Sequence, residues 1–144
     1  MTLLMEIFFA VLGAAIGSFL NVLIYRLPEE QSIVSPASRC PRCGKAIRFY
    51  DNIPVISYIL LRGRCRDCGE RIAFRYPLVE AITAVFSLLL FWKYGVTFQW
   101  LVSFAFICAL IVITFIDLDH QIIPDVISLP GIPIFLLAAV FVMK

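Results

Sequence analysis

Charge is scarce in this sequence. Asp, Glu, Lys and Arg make up only 15% of its 144 residues, against about a quarter in an average soluble domain. Its single histidine, His120, excludes any site that needs several imidazoles. No basic residue precedes the first apolar run, which argues against a cleaved secretory leader. No glycine-rich nucleotide loop of the soluble methyltransferase kind is present. What the chain has instead is apolar surface. Hydrophobic residues make up 62% and the mean hydropathy is +0.97. A core of this length cannot hide that much, so a large share must face lipid.

The few charges are placed unevenly. Ten of the twelve Lys/Arg lie between Arg26 and Arg75, against five Asp/Glu in the same stretch. The remainder of the chain is net acidic. A basic loop between membrane spans is expected on the cytoplasmic side. Nucleic-acid binding by that segment is the weaker reading, and no nucleic-acid partner is expected. Around the loop, apolar runs predict spans over 3–25, 77–92, 98–116 and 126–142, since about 20 such residues cross a bilayer as a helix. Gly13 and Gly17, with Ala14 and Ser18, form a small face on the first span. That face either admits a second helix closely or is ordinary membrane-helix composition. Trp92, Tyr94 and Trp100 are expected to form an interfacial belt. Pro28, Pro36, Pro41 and Pro54 predict turns in the loop. The apolar patch 53–61 is too short to span.

The predicted fold is therefore an all-α polytopic membrane protein. It has about four transmembrane helices and a small zinc-ribbon-like cytoplasmic module between the first and second. Residues 1–27 are the first transmembrane helix, 28–75 the module, and 76–144 helices two to four. The N-terminus is expected outside. The acidic segment 117–125 then falls at the cytoplasmic face.

Two matching pairs define the module: Cys40-Pro-Arg-Cys43-Gly44 and Cys65-Arg-Asp-Cys68-Gly69. The repeat continues as Cys-Gly-Lys-Ala-Ile against Cys-Gly-Glu-Arg-Ile. A Cys-x2-Cys turn points two thiolates at one ion, and a following glycine permits the tight backbone. Two such knuckles predict a closed four-thiolate structural zinc site of Cys40, Cys43, Cys65 and Cys68. The alternatives are disulfides, which a reducing compartment disfavours, or free thiols. Adjacent Arg and Lys are expected to hold the thiolates deprotonated. Cys108, in the middle of an apolar run, is expected to pack rather than ligate.

The segment Phe115-Ile-Asp-Leu-Asp-His-Gln-Ile-Ile-Pro-Asp125 holds three carboxylates between apolar runs. Ionisable groups at membrane depth are costly and point to function. Asp117 is the deepest, and partial desolvation suits acid–base work. Asp119 and His120 are expected in a loop, and Asp125 at a helix start. Glu80, one turn into the second span, is expected to pair with an arginine such as Arg75.

These strings in this order resemble the type IV prepilin peptidases. The resemblance covers the whole chain: Gly17-Ser-Phe-Leu-Asn-Val-Leu-Ile-Tyr-Arg-Leu-Pro28, the cysteine module, Asp51-Asn-Ile-Pro-Val-Ile-Ser57, Arg75-Tyr-Pro-Leu-Val-Glu80 and Ile116 to Asp125. It implies a membrane aspartic endopeptidase of the inner (cytoplasmic) membrane. Such an enzyme removes the leader of prepilins or pseudopilins of type IV pilus and type II secretion systems. In many members it also methylates the new N-terminus with S-adenosylmethionine. The resemblance makes Asp117 the first catalytic aspartate, with Pro124-Asp125 closing its motif. The family's second aspartate sits in Gly-x-Gly-Asp, which does not occur before the sequence stops at Lys144. The chain is thus expected to be the N-terminal part of a longer enzyme and inactive alone. The partners implied are a prepilin or pseudopilin precursor and the lipid bilayer. One other reading stays open, a zinc-bound membrane scaffold without activity; a transporter using Glu80 and Asp117 would need further mid-span charges and an internal repeat of spans, and neither is visible.

Overall fold

The computed structural model describes residues 2–34 and 38–142, with the side chains of 141 and 142 excepted. Pro36 and Lys144 lie outside the described residues. Five α-helices follow in order: α1 (Thr2–Arg26), α2 (Ile56–Leu60), α3 (Arg75–Tyr94), α4 (Phe98–His120) and α5 (Asp125–Val142), with a short 3-10 helix at Phe49–Asn52 before α2. No strand occurs among the described residues. There are only isolated bridges, Arg39 with Ala46 and Arg64 with Arg71. The tetracysteine module lies between α1 and α3.

The helices α1, α3 and α4 are long and apolar enough to cross a membrane. The fourth expected span does form a helix. Its described apolar stretch runs over 125–140. It also carries Pro130 and Pro133 inside the helix.

Packing of α1 on α3 dominates the bundle, and glycine is the reason. A Cβ built on Gly13 would sit 2.6 Å from Ser87 Cβ and 2.8 Å from Ala84 Cα. One built on Gly17 would sit 2.7 Å from Glu80 Cα. Of the two readings of this small face, close helix approach is the one realised. Gly13→Leu is expected to push α1 off α3 and destabilise the fold by about 1–3 kcal/mol or more. Reversible unfolding in micelles measures this, and unaltered stability would contradict the packing.

Several polar groups inside the bundle are tied to backbone. Ser87 Oγ donates to the Phe9 carbonyl at 2.7 Å, and Trp100 Nε1 donates to the Ser87 carbonyl at 3.0 Å. Trp100 is therefore buried, packed with Phe9 and Phe104, and not a member of an interfacial belt. Its indole N–H finds a partner inside the bundle, which a lipid-facing position would not offer. Towards the module, Leu20, Ile24, Val79, Ile111, Val112 and Ile116 form a second apolar cluster. Cys108 packs against both clusters, as a small apolar residue should.

Candidate metal centre and membrane-edge acids

The module is built from one unit used twice, 25 positions apart. Gly44 N–H donates to the Cys40 carbonyl at 2.9 Å, and Gly69 N–H donates to the Cys65 carbonyl at 2.9 Å. Cys40 N–H donates to Lys45 and Cys65 N–H to Glu70 in the same way. Gly44 and Gly69 have φ of +69° and +70°, a conformation that glycine adopts at no steric cost. The two knuckles face each other, and all four Sγ atoms lie within 4.8 Å of one another. The five cysteines are free thiols, so neither pair is a disulfide.

Tetrahedral zinc with Zn–S bonds of about 2.3 Å needs sulfurs roughly 3.8 Å apart. Cys40 Sγ and Cys68 Sγ are 3.7 Å apart. The four cysteines thus fit a metal ion. Backbone N–H groups of Cys43 and Arg42 lower the Cys40 thiol to about 7. The Glu70 N–H pulls the Cys68 thiol down, but desolvation and the neighbouring thiols of Cys65, Cys40 and Cys43 push it up to about 12. A divalent ion would replace those shared protons.

Lys45 interacts electrostatically with Cys43, as expected of a base beside a thiolate. Basic side chains of the module also pair with carboxylates and tie the knuckles together. Lys45 Nζ contacts Asp67 at 3.0 Å, and Arg42 contacts Glu70. Arg66 grips both oxygens of Asp51, from 2.7 to 3.1 Å, and holds its carboxyl below the usual carboxylate range.

Beneath the module lie the membrane-edge acids. Glu80 is buried, and its Oε2 accepts the Val55 N–H at 2.7 Å. The expected ion pair with Arg75 is not made. Arg75 instead pairs with Asp119. The reason is local: Val55 has φ of +61°, a conformation costly for a β-branched residue. Its amide is fixed by the carboxylate below. Ser57 supports the same loop, accepting from Ile53 N–H at 3.0 Å and donating to the Tyr50 carbonyl at 2.9 Å.

Asp119 and His120 are helical rather than loop residues, because α4 runs four residues beyond Ile116. Gln121, at φ +55°, ends the helix and donates its N–H to the Asp117 carbonyl. The Arg75–Asp119 pair joins the start of α3 to the end of α4. It therefore places the end of α4 at the module side of the bundle. Asp117 lies two residues before Asp119, about 200° around the helix. It is exposed, next to fully buried Ile116, and its side chain has no hydrogen-bond or ion-pair partner among the described residues. Asp125 opens α5, at the positive end of that helix.

Between the module and the ends of α1 and α3 is a cavity of about 530 Å³, lined by Asn21, Tyr25, Tyr76 and Glu80 among others. No motif in the sequence announces it. Only the docking of the module onto two helices creates it.

Residues 11–94 match the family described as Bacterial Peptidase A24 N-terminal domain. The chain is 46% identical over 128 residues to the prepilin leader peptidase/N-methyltransferase of Myxococcus xanthus, covering 89% of this chain and 38% of that protein. It is 41% identical to the protein of that name from Pseudomonas putida, covering 85% and 50%. With the Neisseria gonorrhoeae protein it shares 40%, covering 84% and 51%. The chain thus spans about half the length, or less, of these curated relatives. No solved structure matches it.

Proposed function

The chain belongs to the bacterial peptidase A24 N-terminal domain family, and from that premise we propose that it forms part of a membrane aspartic endopeptidase. The enzyme removes the leader of prepilins or pseudopilins at the cytoplasmic edge of the inner membrane. One observation carries this reading: Asp117 is an exposed carboxylate without a partner, in the last turn of an apolar span, on the module side of the bundle. The N-terminus is outside and the module cytoplasmic, in keeping with the module's excess of Arg and Lys.

Aspartic hydrolysis uses two carboxyls that share a proton; one activates water and the other protonates the scissile carbonyl. Asp117 is the first of these. Asp119 is held by Arg75 on another face of α4, and Glu80 is engaged with Val55. Asp125 is a helix-start carboxylate. The second carboxyl of the pair is therefore none of these three. On this reading the 144 residues alone do not cut a precursor.

The metal is zinc in a structural role, held by Cys40, Cys43, Cys65 and Cys68. Four thiolates leave no open position for substrate. The same enzyme methylates the new N-terminus, with S-adenosylmethionine supplying the methyl group.

Membranes carrying only this chain should leave a prepilin at full length. Membranes in which it is joined to the remaining length of a curated relative should cut the prepilin after the leader and add one methyl group, as read by mass spectrometry. A joined enzyme that leaves the precursor intact would sink the peptidase reading. Cleavage by the chain alone would place the second carboxyl among the residues rejected above.

A further inference from the structure

Two helix ends in this bundle carry charges that their own dipoles disfavour. Arg75 is the first residue of α3, at the positive end of that helix. Asp117 and Asp119 lie in the last turn of α4, at the negative end. Each placement weakens the terminus that carries it, and departures from local rules gather at functional sites. The Arg75–Asp119 pair offsets both, because it joins the misplaced cation of α3 to a misplaced anion of α4.

Little else holds the last turn of α4. Ile116 is 1% exposed and packs in the apolar cluster with Ile24 and Val79. The next four residues, Asp117, Leu118, Asp119 and His120, are all exposed. The bond from the Gln121 N–H to the Asp117 carbonyl closes the turn on itself and fixes it to nothing outside. Among the described residues, the ion pair with Arg75 is the one polar side-chain contact that ties this turn to another helix. The guanidinium is steadied in turn by Tyr76, whose ring centroid lies 5.8 Å from Arg75 Cζ. Arg75 Nε is buried without an acceptor among the described residues. The side chain thus gives up hydration to reach Asp119.

We propose, on the peptidase reading above, that Arg75 is a positioning residue for precursor cleavage. It acts through Asp119. The pair pins the last turn of α4 against the start of α3, and the pinned turn holds the Asp117 carboxyl at a fixed depth and bearing. Asp117 projects from a different face of the same turn, so the clamp fixes its backbone and leaves its carboxyl free. Neither Arg75 nor Asp119 exchanges a proton in this role. Misplacing a reacting group by about 1 Å can cost about a hundredfold in rate, so fraying of one exposed turn is enough to slow the reaction.

The test follows cleavage of a prepilin segment spanning the cut site by this chain joined to the remaining length of a relative, in lipid nanodiscs. Arg75→Gln is expected to lower kcat about ten- to a hundredfold with KM nearly unchanged, because the contacts to the precursor are kept. Asp119→Asn should do the same. The double variant should lose no more than either single one, since both remove one contact. Arg75→Lys keeps a charge for Asp119 and should recover most of the rate. Protein abundance and metal content show that each variant is folded. An Arg75→Gln enzyme with the unaltered kcat overturns the proposal, and so do losses that multiply in the double variant. A loss confined to KM also overturns it and assigns Arg75 to precursor binding. If Arg75→Gln does not accumulate, Asp119→Asn decides: an undiminished kcat there overturns the proposal. Asp117→Asn separates this clamp from the reading beneath it. Normal cleavage by that variant removes the peptidase reading and the proposal together; no cleavage, beside full activity in Arg75→Gln, removes the proposal alone.

Discussion

Cys40→Ser is expected to release the metal and unfold the module. Little else could hold residues 38–72 together. Phe49 is 87% exposed, Ile53 44% and Leu60 75%, so no apolar core compensates. Within the module, Cys40 alone of the four ligands is buried. The cross-knuckle contacts are exposed ion pairs, Arg42–Glu70 and Lys45–Asp67, each worth well under the cost of ordering the loop. A structural zinc contributes on the order of 10 kcal/mol to folding. Losing one thiolate forfeits most of that. Metal content per chain should fall from one ion towards none, and protease should cut within the module while the helices stay intact. Because Glu80 and Val55 join module to bundle by one backbone bond, the cavity should open as well. A Cys40→Ser protein that keeps its metal and its protease resistance would contradict the four-ligand site.

Asp117→Asn is expected to abolish precursor processing with little change in protein abundance. The substitution is nearly isosteric, and the side chain makes no contact among the described residues that the fold would miss. Surface changes of this kind usually move stability by less than about 0.5 kcal/mol. The chemistry, by contrast, loses a group that must exchange a proton. A positioned acid or base contributes roughly 100- to 10,000-fold to rate. Immunoblots of membranes should therefore show full-length precursor beside normal amounts of the variant enzyme. Normal processing would leave Asp117 without a role and favour the scaffold reading.

Much of this was legible in the residue string, and for definite reasons. Three spans are apolar runs that nothing but a bilayer accommodates. The knuckles repeat down to their hydrogen bonds, because Cys-x2-Cys-Gly dictates its own backbone. What stayed hidden depends on partners far away in sequence. Trp100 reads as an interfacial residue until Ser87, on another helix, offers a carbonyl. Glu80 reads as half of an ion pair because a side-chain inventory does not include the amide of Val55. Asp119 reads as loop because the stop of α4 is set by a left-handed Gln121, a residue without a strong stop signal. The cavity between module and helices has no sequence signature, since its walls come from segments as distant as Asn21 and Tyr76.

The most direct test compares cleavage rates for Asp117→Asn and Asp119→Asn in the same membranes, with this chain joined to the remaining length of a relative. The two acids are neighbours in sequence but lie on different faces of α4, one without a partner and one held by Arg75. The account predicts no measurable cleavage for the first and a much smaller loss for the second. Equal loss for both, or cleavage surviving at position 117, would show that the reacting carboxyl has been misplaced.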